Sequence, residues 1–176
     1  MKKISPICKA FMAFLLFTFS SLQAQEQSIQ LIQSDTESIQ LKYESAAFEL
    51  VDVQTPKGTM KLPLMQGASP LLVEGAPDLQ KFACSYIIPK GANPSIEIIN
   101  STYKEYKVSV APSKGNLYRN VNPSEVAYVF GEQYRTDAFY PSNVIEAQNT
   151  HTVRDFEAQA LWIYPFQYNP ITKILR

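Results

Sequence analysis

Phe48-Glu49-Leu50-Val51-Asp52-Val53-Gln54-Thr55-Pro56-Lys57-Gly58 decides the fold class. Apolar, β-favouring residues run from Phe48 to Gln54 and stop at Thr-Pro-Lys-Gly, a turn signal. Upstream, Ile39, Leu41 and Tyr43 share one face of an extended segment, with Ser38, Gln40 and Lys42 on the other. Ile29, Leu31 and Ile32 offer a first edge strand inside the Gln- and Ser-rich stretch from Gln25 to Glu37. Downstream, Ile96-Glu97-Ile98-Ile99 and Tyr106-Lys107-Val108-Ser109-Val110 repeat the pattern, and Tyr128-Val129-Phe130 stops at Gly131. Val153 to Tyr164 reads as one long strand with Ala158, Ala160, Trp162 and Tyr164 on a common face. Within that strand, Arg154 and Asp155 point to opposite faces and support the fold.

Prolines punctuate nearly the whole chain, 12 in 176 residues. Each would cost a helix interior about 3 kcal/mol, so little room remains for long helices. Short strands separated by frequent turns predict an all-β, antiparallel β-sandwich of jelly-roll-like kind. Gln167 to Arg176 reads as strand, Asn169-Pro170 turn and returning strand. Ile174 and Leu175 are a very short arm, so the expectation is a domain missing its last strands.

The first 24 residues read as a signal peptide. Lys2, Lys3 and Lys9 supply the positive end, Ala10 to Phe19 the apolar run of ten, and Leu22-Gln23-Ala24 the small-residue cut site. A spanning helix needs about 20 apolar residues, so this run predicts cleavage rather than anchoring. The chain then divides into a leader, 1–24, and one exported domain, 25–176, with no membrane contact after cleavage. The formal charge of the whole is zero, but without the leader 13 basic residues face 16 acidic ones. A mildly acidic body argues against nucleic-acid binding, which needs a basic face.

Chemistry-bearing residues are few. One His, His151, leaves metal clusters and His-based triads little to build on, so no metal and no cofactor is expected. Cys84 is the single cysteine beyond the leader and sits in an apolar run, where a buried core thiol is the expectation. A nucleophilic Cys would need His151 beside it. Asn100-Ser101-Thr102 fits a glycosylation acceptor and carries no argument by itself. Arg135 and Asp137 share a face only if their segment is extended, and no role is assigned to them.

Three ordered segments resemble the propeptide of gingipain-type cysteine peptidases. They are Phe48 to Gly58 with the following Glu74-Gly75-Ala76-Pro77-Asp78-Leu79 turn, Ala111 to Asn143, and Val153 to Arg176. The resemblance implies an all-β prodomain that precedes a caspase-like catalytic domain, keeps it latent and assists its folding. It implies a source of the Bacteroidota type, an inner-membrane crossing to the periplasm, and secretion or surface display by the type IX route. The partner it implies is the cognate peptidase domain, normally in cis. The catalytic residues of such a protein lie beyond this chain, so this chain is expected not to be an enzyme, while its parent would be a cysteine-type endopeptidase. The sequence reads as the C-terminally truncated, N-terminal part of that longer protein.

In arginine-specific members, a prodomain loop presents an Arg to the specificity pocket. The matching position is Arg119, flanked by Tyr118 and Asn120. A guanidinium pairs bidentately with the carboxylate such a pocket needs, and Pro112, Gly115 and Pro123 suit a loop. A solvated loop cation is the plain alternative for Arg119. Lys114 is a second candidate, with a turn residue as its alternative. The Tyr-rich C-terminal half opens another reading, a free-standing exported β-sandwich that binds a glycan or a surface protein, against core packing of the same rings.

Overall fold

The computed structural model describes residues 29–35 and 37–176. The leader expected over 1–24 lies outside the described residues. In chain order the strands are β1 (Ile29–Ser34), β2 (Ile39–Tyr43), β3 (Phe48–Thr55), β4 (Gly58–Met65), β5 (Ser69–Pro70), β6 (Gln80–Ile88), β7 (Tyr106–Lys107), β8 (Ile145–Val153), β9 (Phe156–Ile163), β10 (Tyr168–Asn169) and β11 (Ile174–Leu175). A single 3₁₀ turn, Glu132–Arg135, is the helical element among the described residues. The all-β, antiparallel expectation holds. The chain divides into two units, 1–44 and 45–176.

In the first unit β1 and β2 form an antiparallel hairpin from Ile29↔Tyr43 to Ser34↔Ile39, with an irregularity between Leu31 and Gln33. Asp35 makes its turn. The carboxylate accepts the Glu37 and Ser38 backbone N–H groups at 2.8 and 2.7 Å. These bonds hold its pKa below the usual 3.8.

The second unit contains three sheets around one core. β3 and β4 pair from Phe48↔Met65 to Thr55↔Gly58, so the turn falls at Pro56-Lys57, as the sequence predicts. Gly58 takes φ +100°, which a side chain would resist. β5, β6, β9 and β8 form a four-stranded sheet in that order. β10, β11 and β7 form a three-stranded one, with β11 in the middle. Ile174 and Leu175 are therefore paired on both sides, to Asn169 and Tyr168 and to Lys107 and Tyr106.

The core joins these sheets. Met65, Leu79, Val110, Phe166, Tyr168 and Leu175 are buried together, and Phe48, Leu50 and Phe82 pack against them. Phe48 meets Phe166 and Tyr106 edge to face at centroid separations of 5.0 and 5.4 Å. Leu79 and Leu175 are wholly buried, each contributing about 1.5–3 kcal/mol by leaving water.

Several extended segments differ from expectation. Arg154 and Asp155 form the turn between β8 and β9, with Arg154 at φ +55°, so Val153 to Tyr164 is a hairpin corner and then a strand. Ile96–Ile99 joins no sheet, and Ile98 and Ile99 stay exposed. Tyr128-Val129-Phe130 is also irregular, and Tyr106 to Val110 contributes a strand of two residues and a bridge at Val110. For Ile96–Ile99 and Tyr128–Phe130 the strand-like composition is present but no neighbouring strand supplies ladder partners.

Candidate functional site

The loop expected to carry Arg119 grows from a buried root. Val110, Ala111, Pro112 and Ser113 are all buried, Lys114 and Gly115 are half-buried, and the first exposed residue of the loop is Asn116. Backbone hydrogen bonds fix the root on both sides. On the β4 side, Lys61 N–H donates to Ser109 C=O at 2.8 Å and Ala111 N–H to Lys61 C=O at 2.9 Å. On the other, Asp78 N–H donates to Ala111 C=O at 2.9 Å and Ser113 N–H to Ala76 C=O at 2.8 Å. The Tyr134 hydroxyl caps Val110 C=O at 2.8 Å. Burial raises the Tyr134 phenol well above its usual 10, so it stays a donor.

Gly75 closes the neck. Its N–H donates to Ser113 C=O at 3.0 Å, and its own carbonyl accepts the Gly131 N–H at 2.8 Å. The two ends of the loop thus meet on one residue. Phe130 is held there too, edge to face with Tyr134 at 4.9 Å and beneath the Lys57 ammonium at 4.0 Å. Sequence reasoning read Gly75 only as part of a turn and gave Lys57, Gly131 and Tyr134 no role here.

Inside the neck the chain is tied to itself. Tyr118 C=O accepts the Val121 N–H at 3.0 Å, making a turn with Arg119 and Asn120 at its tip. A second turn follows, in which Asn122 Oδ1 accepts the Ser124 N–H and hydroxyl at 3.1 and 2.9 Å. Lys114 Nζ crosses the loop to Pro123 C=O at 2.6 Å and lies 4.3 Å from the Tyr128 ring centroid. Lys114 is thus engaged as a strut.

Arg119 is exposed, and its guanidinium has no hydrogen bond or ion pair among the described residues. Tyr118 beside it is 83% exposed. The arrangement is a fixed frame that offers one free cation. Ordering such a loop in advance lowers the conformational entropy lost on binding.

The remaining candidates are placed elsewhere. Cys84 pairs with Leu161 and His151 with Ala158, which puts them on opposite faces of one sheet. Burial pushes the Cys84 thiol up, away from the reactive thiolate. Arg135 ends the 3₁₀ turn, and the Asp137 carboxylate accepts from Asn169 Nδ2 at 2.8 Å.

Among known proteins, gingipain R1 of Porphyromonas gingivalis is 28% identical over 172 residues, 97% of this chain. Gingipain R2 of the same species is 28% identical over 163 residues. The chain spans 17% of the length of the first and 22% of the second. The structure described as the complex of Porphyromonas gingivalis RgpB pro- and mature domains matches with a TM-score of 0.81 at 29% identity, covering 85% of this chain and 79% of that one. A structure of gingipain K from the same organism, described in terms of zymogenic latency, shares the fold with a TM-score of 0.70 at 21% identity, covering 88% of each chain. The Propeptide_C25 family model matches residues 20–176; with the ordered segments and the clamped loop, this chain belongs to the C25 propeptide family.

Proposed function

We propose that this chain is the N-terminal prodomain of a secreted gingipain-type cysteine endopeptidase, and that it keeps the catalytic domain latent by presenting the Tyr118–Val121 turn to the active site. The observation that carries the reading is the contrast within one loop: every anchor is bonded, and Arg119 alone at the tip is an unpaired cation. Arg119 is the specificity-pocket ligand, with Tyr118 and Asn120 at its sides. Lys114 supports the loop rather than entering the pocket. A rigid substrate-like turn can fill a pocket while holding its peptide bond out of attack geometry, which makes it an inhibitor. The same docking surface gives the catalytic domain a template as it folds during export through the periplasm.

The test is a titration of the chain from Gln25 onward against an arginine-specific gingipain-type peptidase and, separately, against a lysine-specific one. Inhibition of the first that is lost in Arg119→Ala supports the reading. A folded chain that inhibits neither removes it.

A further inference from the structure

The β3–β4 hairpin touches the Arg119 loop on both of its limbs. On the entry limb the contact is backbone: the Lys61 N–H donates to Ser109 C=O at 2.8 Å and the Ala111 N–H to Lys61 C=O at 2.9 Å. On the exit limb it is a side chain. Lys57, in the turn of the same hairpin, sets its ammonium 4.0 Å from the centroid of the Phe130 ring.

The two limbs differ in what holds them. Among the described residues no backbone hydrogen bond involves Val126 to Phe130, and the first one beyond them joins Gly131 to Gly75. Side chains hold this limb instead. Lys114 reaches the Tyr128 ring, but it belongs to the loop and moves with it. Phe130 is the limb's link to the rest of the domain. Tyr134 meets its ring edge to face at 4.9 Å, and the Tyr134 hydroxyl in turn caps Val110 C=O.

The hairpin tip is a fixed point from which to hold that ring. Thr55 Oγ1 accepts the Lys57 N–H at 3.2 Å and donates to Gly58 C=O at 2.8 Å. β3 and β4 keep an unbroken register down to Thr55↔Gly58. Lys57 is exposed and forms no ion pair among the described residues, so no carboxylate competes with the ring for its ammonium. A cation at this distance is drawn to the ring face by its quadrupole.

We infer that Lys57 is a positioning residue for the Arg119 loop: its ammonium holds Phe130, and with it the exit limb, to the β3–β4 turn. The inference rests on the reading of that loop as the inhibitory element.

Trypsin cleavage after Arg119, followed by mass spectrometry on the purified chain, reads the opening of the loop without any cognate peptidase. Lys57→Met keeps the stem and removes the charge. It should raise the initial rate of that cleavage about twofold to fivefold, the order of an exposed cation–π contact. Cleavage after Lys104, exposed and outside the loop, should keep its rate. Lys57→Arg, which also seats a cation on the ring, should restore the parent behaviour. Phe130→Leu should speed cleavage after Arg119 as well, and adding Lys57→Met to it should change nothing further. Inhibition of an arginine-specific gingipain-type peptidase should weaken in Lys57→Met by the same factor as the cleavage rises. No change at Arg119, an equal rise at Lys104, or additive effects of the two substitutions overturn the inference. Faster cleavage with undiminished inhibition overturns it too. If the cleavage results are as expected but the parent chain inhibits no peptidase, the inhibitory reading falls and the hold of Lys57 on the loop stands.

Discussion

Gly131 donates its backbone N–H to the carbonyl of Gly75 at 2.8 Å. Gly75 is at φ +77°, and a Cβ on it would stand 3.1 Å from Gly131 N and 3.2 Å from Gly131 Cα. Both obstacles are backbone, so neither yields cheaply. Gly91 has nearly the same φ, +74°, with nothing within 4 Å of an added Cβ. Gly91→Ala should therefore cost about 1–2 kcal/mol of left-handed strain. Gly75→Ala should cost that plus roughly 1–3 kcal/mol of overpacking, and should loosen the neck. Denaturant melts of the two variants decide it, and equal losses would show that the close approach is not tight.

Lys114→Met tests the strut. Its ammonium joins Pro123 and Tyr128 inside an exposed loop, and its loss removes about 1 kcal/mol of loop ordering. Inhibition of the cognate peptidase should weaken about fivefold, while the thermal midpoint stays close to that of the parent. Unaltered inhibition by a folded Lys114→Met protein would show that the loop does not need this bond.

Arg119 makes no contact that supports the fold, so its variants should melt like the parent. Truncating a buried interfacial charge typically costs 2–5 kcal/mol, so Arg119→Ala should raise the inhibition constant by roughly 30-fold or more. Arg119→Lys should fall between, because an ammonium cannot pair with a carboxylate as a planar fork does. Tyr118→Ala and Asn120→Ala should have smaller effects. Steady-state inhibition assays with a parallel melt separate these outcomes.

Asp78 gives the pH prediction. Burial raises its carboxyl above the usual 3.8. A carboxyl with a raised folded pKa favours the native state when protonated. Its contribution is complete below 3.8 and is lost as pH climbs through the raised folded value. At neutral pH the buried carboxylate is therefore a liability. Asp78→Asn should raise the melting temperature by a few degrees at pH 7, and the gain should shrink toward pH 4. A constant gain at both pH values would assign the effect to something other than ionisation.

Fold and site were legible to different depths. Phe48 to Gly58 could be read because alternation, a Pro-Lys turn and a glycine that takes φ +100° agree locally. Arg154-Asp155 could not, since Arg at the left-handed position is not a usual turn former, no Gly or Pro accompanies Asp155, and apolar residues flank both sides. Ile96–Ile99 has the composition of a strand, but a strand exists only where another lies beside it, and that depends on distant chain. Arg119 was found through resemblance, and its lack of partners became visible only in the structure. The Gly75 clamp and the Lys57–Phe130 contact join residues far apart in sequence, which no local pattern reports.

The position of β11 between β10 and β7 sets an order of events. Tyr106 and Lys107 pair with Leu175 and Ile174, and Val108 N–H donates to Lys173 C=O at 2.8 Å. The loop root follows immediately after those residues. On a chain that emerges N-terminus first, Lys114 to Phe130 leave the ribosome or translocon long before the strand that completes their foundation. Such non-local pairings form slowly. Loop presentation thus becomes a late step, reached only once β11 has emerged and paired with β7.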